Sequence, residues 1–110
     1  MEIQVILKAL SDGTRYKIIE MLLHKNYCVR AISRNLEISE SAVSQHIKVL
    51  KETGLLVGKK SGYFVHYDVN RDLLHQLAQE IEELASIERE FNATEECGCN
   101  CNKKNKCSKE

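Results

Sequence analysis

No proline and no tryptophan occur in the 110 residues, glycine appears five times, and aromatic side chains make up 5%. Without proline, no helical stretch carries the strongest breaker, so helix ends fall to caps and glycines. No apolar run approaches the roughly 20 residues of a membrane-spanning helix, and no signal-peptide pattern opens the chain. The expectation is a cytoplasmic protein with no membrane partner. The glycines form no phosphate-cradling loop, and no Ser/His/Asp set or catalytic carboxylate pair can be built from the polar residues. The chain is therefore not expected to be an enzyme. Net charge is absent too: 16 Lys and Arg balance 16 Asp and Glu, which taken whole argues against a nucleic-acid partner.

The distribution of that charge argues the other way. Residues 30–60 carry Arg30, Arg34, Lys48, Lys51, Lys59 and Lys60 against Glu37, Glu40 and Glu52, a local charge of +3. Residues 71–90 carry Arg71 and Arg89 against Asp72, Glu80, Glu82, Glu83, Glu88 and Glu90, a local charge of −4. Local charge, not the total, faces phosphates. At 110 residues and 43% hydrophobic content there is room for one domain and one core, and domains of this size often gain stability by dimerising.

The basic half contains the most informative stretch, Ser39 to Tyr67, SESAVSQHIKVLKETGLLVGKKSGYFVHY. Ser39 is a good N-cap and Glu40 suits the positive end of a helix dipole, so a helix should start there and stop at Thr53, with Gly54 just past its end. Val43, Ile47 and Leu50 share one stripe, and Ser41, Ser44, Gln45, Lys48 and Glu52 lie opposite. Small hydrogen-bonding side chains on an outward face can pair with base edges in a major groove, and lysine can meet phosphate. An ordinary solvated helix face would look similar, so the flanks decide. Upstream, Val29, Ile32 and Leu36 outline a short helix, and Glu37 and Ile38 leave only a tight turn, the pattern of a helix-turn-helix. Downstream, LLVGKK and YFVHYDV flank Ser61-Gly62 as a hairpin, with Lys59 and Lys60 beside its tip, a wing able to reach phosphates or the adjacent minor groove. Ser41, Ser44, Gln45 and His46 are the expected base or groove contacts, and Lys48, Lys59 and Lys60 the phosphate contacts. For His46, between the two faces, packing at the helix boundary is equally open.

Ile3, Ile6, Leu7 and Leu10 imply an opening helix, and Thr14 to Leu23 a second with Ile18, Ile19 and Leu22 inward. The last helix, about Arg71 to Phe91, is the longest. Its seam of Leu74, Leu77, Ile81 and Leu84 exceeds what a small core needs.

After Phe91 the apolar pattern stops, and residues 92–110 read as a flexible tail. Cys97, Cys99, Cys101 and Cys107 place four thiols within 11 residues, flanked by Lys103, Lys104 and Lys106. Neighbouring lysines favour thiolate, the form that binds soft metals. Alternate cysteines can curl three sulfurs around one ion, which suits As(III) or Sb(III); Cd, Pb, Zn or Cu(I) are alternatives, with Cys107 completing a tetrahedral set. The spacing is not that of a zinc ribbon. Accidental scavenging of metal by a solvated tail is the bland alternative. The fifth thiol, Cys28, is either a small buried residue or a further ligand.

Three blocks, LKALSDGTRYKIIEMLL at 7–23, SESAVSQHIKVLKETGLL at 39–56 and GYFVHYDV at 62–69, together resemble the arsenical-resistance repressor (ArsR/SmtB) family of metal-sensing repressors, over residues 3 to about 91. The resemblance implies a mainly α winged helix-turn-helix with about five helices and a small β-hairpin wing, in a domain spanning 1–91. It also implies a homodimer joined through the first and last helices, with Ile3, Leu7, Leu74, Leu77, Ile81 and Leu84 at the interface. A two-fold dimer implies an inverted-repeat double-stranded DNA operator. Three departures stand out. Gly13 replaces the family's usual proline, which should loosen a helix start. Cys28-Val29 matches the first two positions of the family's C-V-C arsenic motif, but Arg30 replaces the second cysteine. Asp72 matches the family's other sensor site, on the last helix, but Leu74 stands where its first histidine is expected. The reading is thus a repressor released by a thiophilic metal or metalloid on the tail cysteines, against a thiol-based redox or sulfide sensor and, more remotely, a metal-buffering protein.

Overall fold

The structure, a computed structural model, describes residues 2–89. Within them, helices α1 (Ile3–Leu10), α2 (Gly13–His24), α3 (Val29–Leu36) and α4 (Glu40–Thr53) precede strands β1 (Leu56–Ser61) and β2 (Phe64–Val69), and α5 (Arg71–Ala85) follows. This is a winged helix-turn-helix. The strands form one antiparallel hairpin pairing Leu56 with Val69 through to Ser61 with Phe64. None of the helices among the described residues is long and apolar enough to cross a membrane.

The inward stripes meet in one core of Ile6, Ala9, Ile18, Ile19, Leu22, Ile32, Val43, Ile47, Leu50, Leu55, Leu56 and Leu77. Each fully buried Ile, Leu or Val contributes about 1.5–3 kcal/mol relative to exposure. No polar or charged side chain is buried among the described residues, so the core holds α4 by shape alone. The Val43, Ile47 and Leu50 stripe points inward as the spacing predicts, which fixes the opposite face of α4 toward solvent.

Caps set the ends of the two motif helices. Ser39 Oγ accepts the Ala42 N–H at 3.1 Å to open α4. Gly54, at φ 89°, closes it, and the Leu55 N–H returns to the Leu50 carbonyl at 3.0 Å. In the turn before α4, Glu37 takes the left-handed conformation (φ 59°, ψ 44°) without being glycine, and the Ile38 N–H closes α3 on the Ser33 carbonyl at 3.2 Å.

Three element ends differ from the sequence expectation. The start of α2 is not loosened by Gly13: Asp12 Oδ1 accepts the N–H groups of Thr14 and Arg15 at 2.9 and 3.1 Å, capping the helix without proline. The hairpin turn is Gly62-Tyr63, one residue later than Ser61-Gly62. Gly62 has φ 65°, and a glycine first in a two-residue loop supplies the positive φ of a type II′ turn. Finally, α5 ends at Ala85 rather than continuing to Phe91. Ser86 Oγ donates to the Glu82 carbonyl at 2.9 Å, competing with the helical ladder. No basic residue lies in the last turn, where Glu82 and Glu83 oppose the negative end of the dipole.

Candidate nucleic-acid interface

The polar face of α4 and the wing are held together at one junction. The Asn70 N–H donates to the Leu55 carbonyl at 2.8 Å, and its Nδ2 to the Gly54 carbonyl at 3.2 Å. Its Oδ1 accepts the Leu73 N–H at 3.1 Å, capping α5. One asparagine thus ties the end of α4, the base of the wing and the start of the last helix. Its only mark in the sequence was a cap-type residue before an apolar run.

Ser41, Ser44, Gln45 and Lys48 are all exposed on α4. Between α4 and the wing runs an open groove lined by Ser44, Ile47, Lys48, Lys51, Glu52 and Tyr67. Lys51 was not among the expected contacts, yet it lies in this groove with Nζ 5.8 Å from the Tyr67 ring centre, a cation–π distance. Its position one turn after Lys48 was the available signal. Lys60 is exposed on β1. Lys59 is exposed as well but stands 3.0 Å from Asp68 Oδ2 on β2. Arg30 of α3 reaches Glu40 at 3.7 Å across the turn.

His46 is half-buried, with Nδ1 3.5 Å from Arg15 Nη1. The helix-boundary packing left open by the sequence is therefore present. Beside this pair, the backbone N–H of Arg15, with that of Thr14 and the Arg15 guanidinium, holds the Asp12 carboxyl below its usual range, against a weaker opposing effect of burial.

The residues expected at a dimer interface divide. Leu7, Ile81 and Leu84 are exposed at 44%, 43% and 64%, with Val5 and Ile87 also exposed. Ile3 and Leu74 are half-buried against the core. Leu77 is 7% exposed and belongs to the chain's own core, because α5 turns that position inward. It is not part of the free apolar surface.

Cys28 is exposed as the residue preceding α3, so the reading of a small buried residue does not hold. Cys97, Cys99, Cys101 and Cys107 lie outside the described residues. Among the described residues no group of three or more His, Cys, Asp or Glu side chains is placed to hold a metal ion.

Residues 12–57, from the cap of α2 to the start of the wing, match the model of the bacterial regulatory protein arsR family. The chain is 34% identical over 92 residues to the cadmium resistance transcriptional regulatory protein CadC homolog of Staphylococcus aureus, covering 79% of this chain and 76% of that protein. The chain belongs to the arsR family. It is also 33% identical over 86 residues to the arsenical resistance operon repressor of Escherichia coli strain K12, covering 77% of this chain and 74% of that protein. An ArsR-like transcriptional regulator from Rhodococcus sp. RHA1 superposes with a TM-score of 0.71 at 25% identity, covering 76% of this chain and 79% of that one. Membership makes this arsR-family chain a DNA-binding transcriptional regulator and not an enzyme. It agrees with the solvent-facing α4 and wing.

Proposed function

We propose that this chain is a cytoplasmic homodimeric repressor that binds an inverted-repeat operator and releases it when a thiophilic metal or metalloid binds its C-terminal cysteines. The observation that carries the DNA half is the groove between α4 and the wing, where Ser44, Lys48 and Lys51 share one exposed surface. Ser41, Ser44 and Gln45 contact base edges, His46 lies at the margin of that face, and Lys48, Lys51 and Lys60 neutralise phosphates.

The apolar residues left exposed on α1 and α5, Val5, Leu7, Ile81 and Leu84, with Ile87 just past the end of α5, form the dimer surface. Burying them against a second copy removes apolar area from water.

The sensing half rests on chemistry. Cys97, Cys99, Cys101 and Cys107 offer soft donors close together in sequence, and arsenite or antimonite, each taking three thiolates, suits them best. Cadmium, lead, zinc and copper(I) are the alternatives. The cadmium- and arsenical-resistance names of the two relatives support this class of inducer. Cys28 is exposed, and we keep it as a further candidate ligand.

The DNA half is tested with a duplex selected by the wild-type protein from a random-sequence pool. Replacing Ser44 and Gln45 together by alanine is expected to cost about 1–3 kcal/mol per good base contact, with unchanged thermal unfolding. Wild-type affinity in the double variant would show that the reading face is misplaced. A panel of thiophilic ions and, separately, an oxidant titrated into the complex then distinguishes metal release from redox release.

A further inference from the structure

Three helices meet at one side chain. Arg15, in the first turn of α2, donates from Nε to the Ala9 carbonyl near the end of α1 at 2.8 Å, and its Nη1 faces His46 Nδ1 on α4 at 3.5 Å. Asp12 sets this arginine in place by accepting its backbone N–H and standing 4.0 Å from its guanidinium. The Arg15 side chain is only 18% exposed.

A guanidinium is a donor at every nitrogen and stays protonated. For the 3.5 Å contact to be a hydrogen bond, His46 Nδ1 has to present a lone pair, and the ring then carries its proton on Nε2. That N–H has no protein acceptor among the described residues. His46 follows Gln45 directly and is half-buried, which leaves part of the ring accessible at the edge of the reading face.

We propose that Arg15 is a positioning residue for DNA binding: it selects the Nε2–H form of His46, which then donates to a DNA phosphate. The Nε bond to Ala9 refers that donor to α1 and, through α1, to the proposed dimer surface. The inference rests on the assignment of α4 as the reading helix.

The test uses the full chain and a duplex selected from a random-sequence pool by the wild-type protein. Long-range proton–nitrogen spectra of the histidine rings report the tautomer directly. They are expected to show Nε2–H at His46 in the wild type and a mixed population in Arg15→Met. Duplex affinity of Arg15→Met should fall about tenfold, the scale of one hydrogen bond at a charged partner. In a His46→Ala background, Arg15→Met should produce no further loss. A wild-type spectrum with the proton on Nδ1 overturns the proposal, whether or not the variant folds. Additive losses in the double variant overturn it as well, because Arg15 would then act through the fold alone. Failure of the wild-type protein to select any duplex would overturn the reading-helix assignment and this proposal with it.

Discussion

Lys59 Nζ lies 3.0 Å from Asp68 Oδ2 across the two strands of the wing. The two wing lysines are adjacent in sequence but electrostatically unequal, since Asp68 partly neutralises the charge of Lys59 and Lys60 has no ion-pair partner among the described residues. Each phosphate neutralised steepens the dependence of log binding constant on log salt by about 0.9. Lys60→Ala should therefore flatten that slope by about 0.9, and Lys59→Ala by less. Asp68→Asn should strengthen binding at low salt. A salt series on the three variants checks this; equal slopes for the two lysine variants would show that the exposed pair, worth at most about 1 kcal/mol, dissolves on binding.

Two neighbouring positions on α5 should respond differently to the same substitution. Ile81 is 43% exposed and Leu77 7%. Ile81→Asp leaves the chain's own core intact but places an unpaired charge in the proposed dimer surface, so a folded monomer is expected. Leu77→Asp buries that charge in the core and should destabilise the fold by several kcal/mol, about 3–5. Sedimentation and circular dichroism read both outcomes. A stable Ile81→Asp dimer would remove the interface from this face of α5.

Asp12 links stability to pH. Its carboxyl is held below the ordinary value near 3.8, chiefly by the Arg15 backbone N–H. A group whose folded pKa is depressed contributes stability above its unfolded pKa and loses it as pH falls through the folded value. The cap should be fully present from about pH 5 upward and fade below pH 4. Asp12→Ala should cost about 0.5–2 kcal/mol at neutral pH, and the gap from wild type should narrow below pH 4. Thermal unfolding as a function of pH measures it; a constant gap would mean that the carboxylate is not the cap.

Legibility in the sequence follows the range of the interaction. The α4 stripe of Val43, Ile47 and Leu50 and its caps Ser39 and Gly54 were readable because periodicity and capping act within a few residues. The wing was readable for the same reason, apart from a one-residue shift of its turn to Gly62-Tyr63. The contacts of Arg15 with His46, of Lys59 with Asp68 and of Asn70 with Gly54 were not, because each joins separate elements and depends on how they pack. Leu77 and Ile81 share a seam in sequence, and only the packing of α5 sends one into the core and leaves the other outside. The apolar spacing of the last helix continues to Phe91, while Glu82, Glu83 and Ser86 work against its last turn and α5 ends at Ala85.

In the proposed mechanism, reading and sensing reside in different parts of one chain. Fluorescence anisotropy of a labelled duplex, followed as arsenite is added under reducing conditions, compares the full chain with one ending at Phe91 and with the triple variant Cys97→Ser, Cys99→Ser, Cys101→Ser. All three should bind the duplex, and only the full chain with intact cysteines should release it, since a hydroxyl cannot replace thiolate toward a soft ion. Unchanged release from the chain ending at Phe91 would contradict the account and transfer the sensing role to Cys28.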